Sequence, residues 1–74
     1  MQPVYVLFEQ DGIEFQAVNV YSNKEQALRE FERCCEENQV HPIPLENLDY
    51  ELPRTIALAT NYPYSVQVIE RNPI

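Results

Sequence analysis

Cys34, Cys35, Glu37 and His41 crowd one short stretch and bring together the residue types of a thiol nucleophile with its base, or of a soft metal site. A thiol attacks only as thiolate, and an electropositive neighbourhood is needed to lower its pKa. Glu30, Glu32, Glu36 and Glu37 flank the pair instead. Neither the C-x-x-C nor the H-x-x-x-H spacing that aims ligands at one metal is present, so no metal is expected. Adjacent cysteines hold their Cα atoms about 3.8 Å apart, closer than the roughly 4.4–6.8 Å of a disulfide. One or both are expected to be small apolar residues of a helix core, in a reducing cytoplasmic setting.

Glu46 and Asp49 would do acid–base work only if burial separated their pKa values, which an exposed loop does not do. A single glycine excludes a glycine-rich phosphate loop. The expectation is a non-catalytic protein without cofactors. A bound metal or a thiol of unusually low pKa would revive an enzyme.

What stands out is charge. Of twelve acidic residues, seven lie between positions 30 and 51 (Glu30, Glu32, Glu36, Glu37, Glu46, Asp49 and Glu51), with Arg33 the one basic residue among them. Glu36 and Glu37 sit where a helix C-terminus prefers cations, and Glu32 and Glu36 repel at i,i+4, so local stability does not select them. One reading is a solvated face that keeps the chain soluble. The other is an electronegative patch that docks on a basic protein surface, carboxylates standing in for phosphates, with Tyr50 and Tyr62 as amphipathic anchors. Five basic residues against twelve acidic ones exclude direct nucleic-acid binding, which depends on Lys and Arg releasing counterions. The alternative is a homodimeric accessory or scaffold domain, joined through an open sheet edge or a cluster of Tyr50, Tyr62 and Tyr64.

These side chains need a scaffold, and 74 residues suffice for one domain. No apolar run approaches the ~20 residues of a membrane span, and no basic leader precedes the first strand. Pro3–Glu9 reads as a strand, Asp11-Gly12 as a two-residue turn and Ile13–Ala17 as its antiparallel partner. That loop places Gln10 opposite Ile13, Phe8 opposite Phe15 and Glu9 opposite Glu14, with Val4, Val6, Phe8, Phe15 and Ala17 on the core face. Val18 and Val20 then fall out of phase, and a bulge near Ala17 and Val18 is expected to correct it.

Ser22 and Glu25 have the spacing of a capping box. Ala27, Leu28, Phe31, Cys34 and Cys35 then form a stripe at helical spacing up to a stop at Asn38. An irregular connection from Gln39 to Pro53 follows, with one helical turn marked by Leu45 and Leu48. Thr55–Thr60 and Tyr64–Ile69 complete a second hairpin around Asn61-Tyr62-Pro63. The predicted fold is α+β: a two-layer ββαββ sandwich, one helix over a mostly antiparallel sheet, spanning residues 1–74 as a single domain.

Val4-Tyr5-Val6-Leu7 and the run from Val18 to Ala27 resemble small phage and bacterial α/β domains that open with a hairpin and enter a helix through a capping serine. In size and acidity the chain is also similar to small phage-encoded inhibitors of host nucleic-acid enzymes. That likeness implies binding to a basic, nucleic-acid-handling protein.

Overall fold

The chain alternates two kinds of sequence, apolar or β-branched runs bounded by turn residues and one long stretch of helix formers, and the architecture follows from that alternation. A computed structural model describes residues 2–45 and 52–73. Its elements are β1 (Val4–Asp11), β2 (Phe15–Tyr21), α1 (Lys24–Asn38), β3 (Arg54–Asn61) and β4 (Tyr64–Arg71), in the expected ββαββ order. All pairings are antiparallel and the strand order is β2-β1-β4-β3, so the helix carries the chain from one edge of the sheet to the other. The expected turn around Leu45 and Leu48 lies largely outside the described residues.

Lys24–Asn38 contains no glycine, proline or β-branched residue, which is why it holds a helix over this length. Asn23, rather than Ser22, is the N-cap: its Oδ1 accepts the Gln26 amide at 3.1 Å. At the other end Gln39, rather than Asn38, takes the left-handed conformation (φ 55°). The Val40 amide donates back to the Cys35 carbonyl at 3.0 Å, and the Asn38 side chain donates to the Cys34 carbonyl at 2.9 Å. Of the predicted stripe, Ala27, Phe31, Cys34 and Cys35 are buried, whereas Leu28 is only half-buried at its edge.

Register is where the expected first hairpin fails. Asp11 pairs with Phe15, so the loop has three residues, Gly12-Ile13-Glu14, instead of two. Glu9 then faces Ala17, Phe8 faces Val18 and Val6 faces Val20 in one unbroken ladder, and no bulge near Ala17 is needed. Because side chains alternate with period two, one extra loop residue exchanges which of them share a face across the hairpin. The helix-covered core is built from Tyr5, Leu7, Tyr64, Val66, Val68 and Ala59, while Val4, Val6 and Phe8, assigned to the core by the shorter loop, lie on the opposite face. In β3 the register shifts between Thr55 and Ala57, and both Ile56 and Ala57 pack against the helix-side cluster.

Most polar groups on the covered face are paired, although Arg54 Nη1 is buried without a hydrogen-bond partner among the described residues. Tyr5 Oη donates to Glu70 Oε2 at 3.0 Å and Arg54 Nε donates to Glu70 Oε1 at 2.8 Å. Tyr64 Oη donates to Glu9 Oε2 at 2.6 Å. The Arg54 hydrogen bond holds the Glu70 carboxyl below the usual carboxylate range despite burial, and burial raises the Tyr5 and Tyr64 phenols.

Candidate functional site

A four-stranded sheet has two faces and this helix covers one. On the other, the register aligns Val18, Phe8, Gln67 and Leu58 in one row across all four strands, and Val20, Val6, Ile69 and Thr55 in the next. Val18 and Val20 remain 56% and 64% exposed. Gln16, Gln10, Ser65 and Thr60 close one end of this face; Val4 and Arg71 close the other. A hollow of about 280 Å³ lined by Val4, Val6, Val20, Arg71, Asn72 and Pro73 lies at the Arg71 end.

In a chain of net charge −7, the strand positions of this face carry no carboxylate, and Arg71 is their one charge. The signal for this surface was present in β1, where Val4-Tyr5-Val6-Leu7-Phe8 is apolar without alternation, as in a strand whose two faces are both apolar. The slip of phase at Val18 and Val20 is the second apolar stripe of this face, opposite Phe8 and Val6.

The acidic residues are divided by the helix. Arg33 bridges Glu30 at 2.9 Å and Glu37 at 2.8 Å, so two of the four helical carboxylates proposed for docking share one cation on their own flank and keep a net charge of −1 between them. Glu32 and Glu36 stand on the other flank and line a hollow of about 580 Å³ with Cys35, Gln39, Val40, His41 and Pro42. Glu46, Asp49, Tyr50 and Glu51 lie outside the described residues.

Tyr62 and Tyr64 do not gather as one anchor. Tyr64 is buried under the helix, whereas Tyr62 at the β3–β4 turn is 94% exposed. The two hairpin tips are tied by the Gly12 amide, which donates to the Pro63 carbonyl at 2.9 Å, bringing the turn that carries Ile13, 95% exposed, against the turn that carries Tyr62. Gly12 has φ 64°, a conformation that glycine adopts without strain.

Cys34 and Cys35 are buried, unlinked thiols. Burial first, then the charges of Glu9 near Cys34 and Glu32 near Cys35, push both thiols up, the opposite of an activated nucleophile. Among the described residues no group of His, Cys, Asp and Glu is placed to hold a metal ion, and no helix is long and apolar enough to cross a membrane.

The segment after the helix returns to the sheet beside β3: Pro42 bridges to Ala59 and the Ile43 amide donates to the Leu58 carbonyl at 2.8 Å. Strand β2, the opposite edge, has no strand partner beyond it among the described residues. Comparison of the chain with protein-family models, curated protein sequences and solved structures finds no match.

Proposed function

We propose that this chain is a non-catalytic interaction domain whose contact surface is the helix-free face of its sheet. The observation that carries this reading is the pair of rows crossing all four strands, each apolar but for one uncharged polar residue (Gln67 and Thr55), with Val18 and Val20 more than half exposed. An antiparallel sheet that simply faces water alternates apolar-in with polar-out. Here the residues pointing away from the helix on β1 and β2 are mostly valine and phenylalanine. Contiguous apolar surface of this kind, rimmed by glutamine, serine and threonine, is characteristic of protein interfaces.

A second reading keeps the acidic helix flank as the docking site. Glu32 and Glu36 favour it, standing beside an open hollow with no cation within ion-pair distance among the described residues. In that reading the chain captures a basic surface, in the manner of the small acidic inhibitors it resembles.

Paired variants on the immobilised chain separate the two readings. Val18→Lys with Val20→Lys is expected to abolish capture of partner protein, and capture by the unaltered chain is expected to survive about 0.5 M salt, where the Debye length is below ~8 Å. Glu32→Lys with Glu36→Lys is expected to leave capture intact. Capture that disappears in salt and with the glutamate pair alone overturns the sheet-face reading and establishes the acidic one.

A further inference from the structure

Resting on the reading of the helix-free face as a contact surface, we infer that its occupant is a second copy of this chain, packed sheet against sheet. Charge argues for it first. Two chains of net charge −7 repel, and the surface on which they can meet at least electrostatic penalty is the one whose strand positions hold no carboxylate. Face-to-face packing sets the sheets about 10 Å apart and leaves the helices with their glutamates on opposite outer sides, separated by more than the ~8 Å Debye length at physiological salt.

Pairing through the free β2 edge does the reverse. It places both helices on one side of a continuous sheet. The carboxylates of both helices, only partly offset by Arg33, then share that side.

Size argues for it second. Four strands of seven or eight residues, at about 4.8 Å between strands and about 3.4 Å per residue, present a face of roughly 500 Å². Two such faces bury on the order of 1,000 Å², the lower bound of specific interfaces.

Symmetry argues for it third. A two-fold axis lying in the interface across the strands lays the Val18–Phe8–Gln67–Leu58 row of one copy over the Val20–Val6–Ile69–Thr55 row of the other. It also sets each Arg71 over Ser65 of the other copy instead of over its own counterpart, an isologous and therefore closed arrangement.

Sedimentation equilibrium of the full chain, from about 5 to 500 μM, tests this, because an interface of this size places dissociation in the micromolar range. The unaltered chain is expected to reach twice its 8.7 kDa mass, and salt is expected to tighten the association by screening the outer carboxylates. Gln67→Glu, nearly isosteric and central to the face, is expected to weaken association about a hundredfold by placing an unpaired carboxylate in the contact, with the circular-dichroism melt of the dilute chain unchanged. Asn19→Lys, on the edge strand but pointing to the helix side, is expected to leave the dimer intact.

A chain that stays monomeric throughout overturns the second-copy proposal. If its capture of another protein is still lost with Val18→Lys and Val20→Lys, the contact-surface reading stands without it. A dimer abolished by Asn19→Lys and indifferent to Gln67→Glu also overturns the proposal, by showing the β2 edge to be the joint.

Discussion

The two faces of the sheet are made by the same four strands, yet they differ in what their polar groups do. Under the helix, Leu7, Val66 and Val68 are buried beside two carboxylates, each held by a tyrosine hydroxyl, Glu70 by Arg54 as well. A buried charge survives there because its partners are supplied. On the helix-free face the strand positions include no acid, and the polar residues at its ends, Gln10, Gln16, Ser65 and Thr60, are uncharged. Among the described residues acidity is sorted by location: carboxylates occupy the helix, the tip of the first hairpin and the paired network, and the helix-free face of the sheet holds none.

The covered face is the one on which folding depends, and breaking it should have the largest effect. Phe31→Ala removes the largest helical side chain of the core and should destabilise by about 3–5 kcal/mol, enough to unfold much of so small a domain. Thermal and urea unfolding followed by circular dichroism would show it, and a loss under 1 kcal/mol would mean that the helix is not the main cover of this face.

Next in size is the paired network. Arg54→Ala leaves Glu70 without its cation and should cost about 2–4 kcal/mol, short of a fully buried pair because the Arg54 side chain keeps 22% exposure. Glu70 also predicts a pH dependence. Its folded pKa lies below the unfolded value of roughly 4.3, so the ionised carboxylate stabilises the fold at every pH above that value, and the contribution is lost as pH falls through the folded pKa. Urea midpoints should therefore fall on acidification below about pH 4, and Glu70→Gln should flatten that slope. Equal slopes in the two proteins would remove Glu70 from the account.

The smallest effect belongs to the helix-free face. Val20→Thr, at a position already 64% exposed, should change the stability of the dilute chain by no more than about 0.5 kcal/mol. At concentrations where two copies meet, its melting temperature should drop below that of the unaltered chain, since only the associated form buries Val20. A large loss at every concentration would show that this face already matters to the monomer, and the contrast between the faces would weaken.

Much of the architecture was legible in local patterns. The spacing of Ala27, Phe31, Cys34 and Cys35 located the helix and its buried stripe, and Asn61-Tyr62-Pro63 marked the second hairpin, because caps, turns and periodicity act over a few residues. The contact surface was legible only in part, from the unbroken apolar run of β1. It depends on whether the first loop has two residues or three, and Asp11-Gly12 looks the same in both cases until Phe15 is seen opposite Asp11. The acidic cluster was legible as a composition, but Arg33 reaching both Glu30 and Glu37 divides it, and a count of charges along the chain does not contain that geometry.

By itself the sequence determined the element order, the helix stripe, the thiols as core residues and the excess of carboxylate over base, all of which depend on residue type and near neighbours. Tertiary structure alone decided which alternate residues of β1 meet the helix, because strand pairing and helix placement choose between two faces that are both apolar. It likewise decided that Glu70 keeps its charge under cover, since Tyr5 and Arg54 reach it from strands β1 and β3 on either side of β4.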